Sequence, residues 1–561
     1  MKNIYISMIL LISLMAVSCD GFLEEEPPTF ISTSNFYTTE SDARTACDAI
    51  YQVLHDGTSN SVYGRWWPGI DVATDDVTSK INRNTYSLWF SHTINGDHTW
   101  MNSWSQYSSF WTGIARANTV IENVADIDMD EDTKNEIIGE ARGLRAWYYF
   151  HLVRTYGDMP IIVDAVSTKD DFMKPRSLVE DVYSEVIIPD LQYAEKHCSD
   201  GLHDGHISKW TAKIILADVY ITCAGWRRTS QGEFVQGDAS YWTLARDKAK
   251  EIIDDSPHSL MTEPVINGYD TVPACGVAWD LSSPFSKESM LELAAINESG
   301  YGSYLSRECG PYATGLYYWG ASVDTITSLA AEGDSSTISE MRFPGKPASV
   351  GSIIPTPDLW DAFEDGDERR DWNLMTRYIT PEGLNYVCQP LFRKYVDIDY
   401  YMGEENTTFT NTDNNFVVYR YADALLIYAE AANEVAAAVD GDDAYAALNE
   451  IRNRAGLSDL SALSQEEFRT AVWKERRCEF CGECKRRFDL IRTKRLATET
   501  ANITVDWTAA QGSAIDYSNR NALYTGTVAW PDHEWLMPLP TSEINLNADN
   551  DWVQNEGYVS E

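Results

Sequence analysis

Two stretches of this chain concentrate aromatic rings among polar side chains. In the first, Trp66, Trp67, Trp89, Phe90, Trp100, Trp104, Tyr107, Phe110 and Trp111 alternate with Asp71, Asp75, Asp76, Arg83, Asn95, Asp97, His98 and Asn102. In the second, Tyr301, Tyr304, Tyr312, Tyr317, Tyr318 and Trp319 crowd a region rich in Gly and Ser. A sugar ring has apolar C–H faces and a perimeter of hydroxyls, and an aromatic plane flanked by Asp, Asn and Arg answers both parts. Candidate glycan-binding residues are therefore Trp66, Trp67, Asp75, Asp76, Trp100, Asn102, Trp104, Tyr317, Tyr318 and Trp319. The same rings can instead pin long loops to a scaffold, and the residue types alone leave both readings open.

Other chemistry is harder to build. The signatures of a serine nucleophile elbow, a zinc protease helix, a phosphate loop and a dinucleotide turn are all missing. His203 and His206 form the one close histidine pair, in a loop and without the i, i+4 spacing of a zinc helix. Carboxylates are so abundant that any two can be nominated as a glycosidase acid and base; Asp71, Asp75 and Asp76 are the best placed. Cys478, Cys481 and Cys484 have C-x-x-C-x-x-C spacing but lack a fourth ligand, and on a helix they share one face. They can be small buried hydrophobes, a disulfide plus one thiol, or a metal site, in that order of preference. Lys474, Arg476, Arg477, Lys485, Arg486 and Arg487 interleave with Glu475, Glu479 and Glu483, which reads as a solvated, salt-bridged helical face. No catalytic residue, metal ligand or cofactor is assigned.

The 561 residues carry 86 Asp+Glu against 44 Lys+Arg, a net charge of −42. Such a balance repels phosphate backbones and argues against a nucleic-acid partner. Near the N-terminus, Lys2 precedes an apolar run from Ile4 to Val17 and then Ser18-Cys19-Asp20. That run is short for a bilayer span, and the pattern reads as an export signal over 1–18 with lipidation at Cys19. Residues 19–35 are polar, acidic and Pro-bearing, as expected of a lipidated tether. Removing Cys19 from the ten cysteines leaves an odd number, so at least one thiol stays unpaired within the chain.

Helical periodicity is strong over 136–155, 208–222 and 416–436, and shorter helical stretches are expected at 41–54, 104–124, 178–196, 240–254, 443–455 and 466–481. Adjacent helices with small residues at their crossings suggest stacked hairpins of the tetratricopeptide type, with Ala429, Ala432 and Ala446 at close contacts. Between the helical blocks the texture turns to Gly, Pro, Ser and aromatics, with short strands expected at 290–296 and 385–396. The expected organisation is a helical scaffold with an early ligand-loop region over 36–260, an irregular insertion over 261–415, a return of the scaffold over 416–495 and an irregular C-terminal wrap over 496–561. The expected fold is mainly α, a tetratricopeptide-like hairpin scaffold with long irregular loops and a few short strands.

Four motifs, in order, resemble the SusD/RagB-like outer-membrane nutrient-binding lipoproteins. They are Gly139-Glu140-Ala141-Arg142-Gly143-Leu144-Arg145-Ala146-Trp147-Tyr148-Tyr149-Phe150 with Tyr156-Gly157-Asp158-Met159-Pro160; Arg420-Tyr421-Ala422-Asp423-Ala424-Leu425-Leu426 with Ile451-Arg452-Asn453-Arg454-Ala455-Gly456; Glu475-Arg476-Arg477 with Arg487-Phe488-Asp489-Leu490-Ile491-Arg492; and Met537-Pro538-Leu539-Pro540-Thr541-Ser542-Glu543 with Gly557-Tyr558. The resemblance implies four tetratricopeptide-like hairpins plus an irregular ligand-binding half. It also implies a non-catalytic lipoprotein of the outer membrane, facing the cell exterior, that binds oligosaccharide or polysaccharide and delivers it to a SusC-like TonB-dependent transporter. The three clustered cysteines depart from the family pattern. Two other functions stay in view: an α-helical glycoside hydrolase using an Asp/Glu pair, and a transporter lid without ligand specificity of its own.

Overall fold

A computed structural model describes residues 36–54, 67–72, 74–79, 92–98, 106–267, 270–296, 298, 301–309, 353–379, 385–395, 412–501, 503 and 530–558. The longer helices are α1 (Glu40–Tyr51), α2 (Gln106–Val124), α3 (Glu131–Tyr156), α4 (Ile188–His197), α5 (Lys209–Ala224), α6 (Ser240–Asp255), α7 (Tyr421–Val435), α8 (Asp443–Arg454), α9 (Gln465–Glu479) and α10 (Arg486–Arg492). Their starts follow from local sequence. Thr39 with Asp42 and Ser464 with Glu467 make capping boxes, and the side chains of Asp130, Ser208 and Asp442 accept from the first free N–H groups of α3, α5 and α8. α3 ends at Gly157, whose φ of 81° suits a residue without a side chain.

From α1 to α9 each helix packs on the next, so the scaffold is one continuous stack. The stack has the tetratricopeptide-like character expected of adjacent helices with small residues at their crossings, and α7 with α8, the pair expected to fit best, packs as a hairpin. α2 and α3 cross so closely that a Cβ at Gly113 would lie 2.4 Å from the Tyr148 ring. In the α7–α8 pair, Ala429 is buried as expected, but Ala446 faces solvent and Ala444 and Ala447 make the contact instead.

α6 and α7 pack directly although some 160 positions separate them, so the chain between leaves the stack and rejoins it at the next place. The described part of that excursion holds short antiparallel strands. Before it come β1 (Val77–Ser79), β2 (Trp226–Arg228) and β3 (Phe234–Gln236); within it are β4 (Val265–Asn267), β5 (Asp270–Val272), β6 (Ser289–Leu293), β7 (Ile353–Pro355), β8 (Leu374–Ile379) and β9 (Asn385–Phe392), and β10 (Phe416–Arg420) leads into α7. The strand pairs are β1–β7, β2–β3, β4–β5, β6–β10 and β8–β9. The helix expected over 416–436 thus begins only at Tyr421. Its first five positions include two adjacent valines and are buried on both faces against β6, where β-branched side chains fit a pleat.

The basic cluster is the largest surprise of the scaffold. The alternation of Arg and Glu predicts a solvated, salt-bridged face; Lys474 is exposed, but Glu475, Glu479 and Glu483 are buried and join an ion network. Arg420 donates to Glu288 (2.8 Å), to Glu479 (2.5 Å) and through two nitrogens to Glu483 (2.8 and 3.1 Å). Lys394 joins Glu483 at 2.6 Å, Arg369 joins Glu475 and Glu479, and Arg454 joins Glu288. A second group links Arg476 and Arg492 to Asp489, and Arg492 to Glu430. The motif residues of the second and third hallmarks are therefore internal fasteners between β10, α7, α8, α9 and α10. Each desolvated charge among these elements is compensated by a partner, and any one of them would be costly alone.

Candidate functional site

The early aromatic segment is tied down at two places. Near its start, a single helical turn over Trp67–Asp71 leads to Asp75 and Asp76, which are 3% and 2% exposed. Arg486 donates to both oxygens of Asp75 (2.9 and 2.6 Å), and Arg477 donates to Asp76 at 2.6 Å and to the Asp75 carbonyl at 3.2 Å. Thr356, just past β7, donates its N–H to the Asp76 carbonyl (2.8 Å) and its hydroxyl to the Asp75 carbonyl (2.5 Å). The two carboxylates assigned to a ligand on sequence grounds thus point into α9 and α10, where they hold the segment. Contrary to the expectation of ligand-facing carboxylates, neither faces solvent, and both are engaged by guanidinium groups.

Farther along, His92 meets Glu534 at 2.6 Å and packs edge-on against Trp530, while Thr541 donates its N–H to the Gly96 carbonyl at 3.0 Å. The C-terminal wrap, whose Leu539 and Met537 are buried, thereby clamps residues 92–98; Met537 in turn donates to the Thr155 carbonyl at the end of α3. Both fastenings use hallmark motifs, which explains why the hallmarks do not themselves mark the ligand.

The second aromatic segment shares this base. Ser303 and Thr412 exchange backbone hydrogen bonds of 2.9 and 3.2 Å, and the turn Leu305–Cys309 lies against β7. β7 pairs with β1, register Thr78 opposite Ile354. The points on either side of residues 310–352 are therefore neighbours, and the second, β7, pairs with the strand that follows Asp76. Tyr304 is buried in this base, whereas Tyr301 stands 61% exposed.

Beside Tyr301 runs a groove of about 420 Å³, walled by the end of α1 (Asp48, Tyr51, Gln52), by His206 and by the chain after β6 up to Ile296. The Tyr51 and His206 rings meet edge to face at 5.7 Å. His206 lies 3.5 Å from both Asp48 and Asp204. The Tyr51 hydroxyl is already engaged, donating to Glu140 (3.0 Å) and accepting from the Ile207 N–H (2.8 Å). The groove thus offers ring surface from Tyr301 and His206 and polar edges from Asp48 and Gln52. Sequence reasoning had Tyr301 in its second cluster but missed Tyr51, Gln52 and Asp48, because they end a helix whose apolar stripe reads as core. Of the assigned residues, Trp66, Trp100, Asn102, Trp104, Tyr317, Tyr318, Trp319 and the lipidation site Cys19 lie outside the described residues, and of Trp67 only the backbone is described.

The clustered thiols are settled by burial. Cys478, Cys481 and Cys484 are all buried and unpaired, with Cys478 against the Ala362 carbonyl (3.7 Å) and Cys481 accepting from Asn373 (3.3 Å). Burial pushes the Cys478 thiol up to about 12, so it is protonated and inert at neutral pH.

Asp71 gives a pH-dependent signature of this base. Burial first, and then the Asp76 charge, push its carboxyl up to about 8, against the Arg487 N–H and the charges of Arg486 and Arg487. A group with a raised folded pKa supports the fold while protonated, and that support is lost as pH rises from about 4 through 8. Asp71→Asn is therefore expected to match wild type near pH 4 and to gain on it by up to ~1.4 kcal/mol per pH unit above that. Urea or thermal midpoints between pH 4 and 9 check this; parallel curves for the two proteins would refute it.

With the geometry in place, comparisons identify the kind of protein. Residues 21–221 match the model described as "Starch-binding associating with outer membrane", and residues 312–558 match the model of the SusD family. The chain belongs to the SusD/RagB-like family. Among SusD-like relatives, the SusD-like protein P25 of Formosa agariphila is 28% identical over 517 residues, covering 88% of this chain and 89% of that protein. A SusD superfamily protein of Parabacteroides distasonis superposes with a TM-score of 0.72 at 23% identity, over 93% of this chain and all of that one. Surface glycan-binding protein A of Bacteroides thetaiotaomicron, solved in complex with laminarihexaose, superposes with a TM-score of 0.66 at 19% identity, over 92% of this chain and all of that one. The SusD-like fold accounts for the continuous helical stack and for hallmarks that serve as fasteners.

Proposed function

We propose that this chain is a non-catalytic glycan-binding lipoprotein of the outer membrane, anchored through Cys19 and facing the cell exterior. It captures oligosaccharide or polysaccharide and passes it to a SusC-like TonB-dependent transporter. The observation that carries the reading is the shared base from which both aromatic segments depart, with exposed Tyr301 beside an open groove at its edge. On this reading Tyr301 and His206 extend a binding face whose remaining platforms are Trp66, Trp67, Trp100, Trp104, Tyr317, Tyr318 and Trp319, with Asn102, Gln52 and Asp48 meeting hydroxyls. The laminarihexaose complex of the similar surface protein supports a glycan as cargo, and the family description supports the outer membrane as location. The hydrolase alternative loses its best acid–base pair, since guanidinium groups occupy Asp75 and Asp76. No helix among the described residues is long and apolar enough to cross a membrane.

Native affinity electrophoresis through laminarin and other neutral polysaccharides tests the binding. Tyr301→Ala is expected to weaken retardation about tenfold, the equivalent of ~1.4 kcal/mol, with an unchanged melting temperature. Equal retardation of the variant would place the sugar elsewhere, and retardation by no polysaccharide would overturn the reading.

A further inference from the structure

A second cavity, of about 280 Å³, lies in the scaffold and shares no residue with the groove beside Tyr301. It is enclosed by α3, the end of α5, the β2–β3 hairpin, α10 and the C-terminal wrap, and five rings line it: Tyr183, Trp226, Tyr241, Phe488 and Trp535. Four features of this cavity converge.

Two buried N–H donors in its lining have no acceptor among the described residues. Arg228 is 6% exposed and spends its terminal nitrogens on Glu556, leaving Nε unpaired; Trp535 is 3% exposed and its indole Nε1 is unpaired. Both belong to one cluster, since the Phe234 ring lies 4.6 Å from the Trp535 ring and beneath the Arg228 guanidinium at 5.9 Å. A buried donor without an acceptor is unfavourable, and a bound oxygen acceptor removes that cost.

The charge of the lining is opposite to that of the protein. Arg154, Arg227, Arg228 and Arg492 stand against Glu180 and Asp238, in a chain of net charge −42. Arg154 and Arg492 are paired to carboxylates outside the lining, Asp218 for the first and Glu430 with Asp489 for the second. Arg227 pairs with exposed Glu180 at the rim.

The backbone is irregular where the cavity needs it. The helix that starts at Val179 widens into a π turn over Tyr183–Ile187 before continuing as α4. Pro189 cannot donate to the preceding turn, and the wider turn absorbs the missing bond without ending the helix. Tyr183, the first residue of that turn, lines the cavity. Such turns recur at functional sites.

Size sets the class of occupant. An apolar cavity of about 150 Å³ holds benzene, so this one has room for a two-ring aromatic with one polar group. We propose that the cavity binds a compact aromatic carboxylate, its rings among Tyr183, Trp226 and Trp535 and its oxygens on the Arg228 and Trp535 N–H groups.

Isothermal titration of the full chain with 2-naphthoate tests this. Saturable one-to-one binding is expected, with 2-naphthol at least tenfold weaker because it lacks the carboxylate. Trp535→Phe, which deletes the donor and keeps the ring, is expected to weaken 2-naphthoate about tenfold. Val235→Trp, which fills the cavity from the hairpin, is expected to abolish binding while circular dichroism and laminarin retardation stay as in wild type. Absence of saturable heat with wild type at millimolar 2-naphthoate would overturn the proposal. So would equal affinity for 2-naphthol, or undiminished affinity in Val235→Trp.

Discussion

Arg420→Met is expected to lower the stability of the protein by about 3–5 kcal/mol, the range for stripping one partner from a buried ion pair. The guanidinium of Arg420 is 2% exposed and touches Glu288, Glu479 and Glu483, all of them 1% exposed or less. Methionine fills much of the volume, so the loss reports charge and not a cavity. It leaves Glu483 with Lys394 alone, and makes Glu288 and Glu479 share Arg454 while Arg369 is divided between Glu479 and Glu475. The double variant Arg420→Met, Glu479→Gln, which removes one charge of each sign, is expected to recover part of the loss. Thermal and urea midpoints measure both; a shift of Arg420→Met below about 1 kcal/mol would mean that the network contributes little. The network also fixes the acid limit. Burial alone would raise the Glu479 carboxyl, but Arg454, Arg420 and Arg369 hold it well below the usual range, and Arg420 and Lys394 hold Glu483 down likewise. Stabilisation from lowered carboxyls is complete above about pH 4.3 and is lost as pH falls through the folded values, so wild type yields to acid in that window.

Asp75→Asn is expected to loosen the early aromatic segment and to abolish glycan retardation together. The bidentate Arg486–Asp75 bond and the Arg477 bonds fasten residues that lie 411 and 401 positions away along the chain. An amide can accept only one of the Arg486 donors and carries no charge, so two buried guanidinium groups lose compensation at about 3–5 kcal/mol. Hydrogen exchange at residues 74–79, read beside affinity electrophoresis, separates anchoring from contact. Lost protection with lost retardation is the expected pair. Retained protection with lost retardation would return Asp75 to the ligand surface.

The scaffold was readable from sequence because its signal is periodic. Helix α3 shows Ile137, Ala141, Leu144, Tyr148 and Leu152 on one stripe, and all five are buried. What periodicity cannot report is the identity of a distant partner. Arg and Glu at steps of three and four look the same on a wet helix and in a dry network; only the arrival of Arg369, Arg420, Arg454 and Asp76 from other segments buries the C-terminal end of α9. The same blindness misplaced Asp75 and Asp76, whose partners are the arginines of that very cluster. β10 was absorbed into the following helix because Val418, Ala422 and Leu425 keep a helical step across the boundary, and nothing local announces strand β6. In the site, Tyr301 was legible as a ring outside any stripe. Tyr51 and His206 were not, since the groove that joins them is made by three segments meeting.

The direct contact of α6 with α7 has a consequence for how such a protein can diversify. The stack closes on itself across the excursion, so the length and composition of the excursion do not enter the register of the helices. Residues between the two, apart from strand β6 and the fasteners Glu288, Thr356, Arg369 and Lys394, can be lengthened or rewritten on a fixed handle. Cargo preference can then drift quickly while the parts that hold the molecule together stand still.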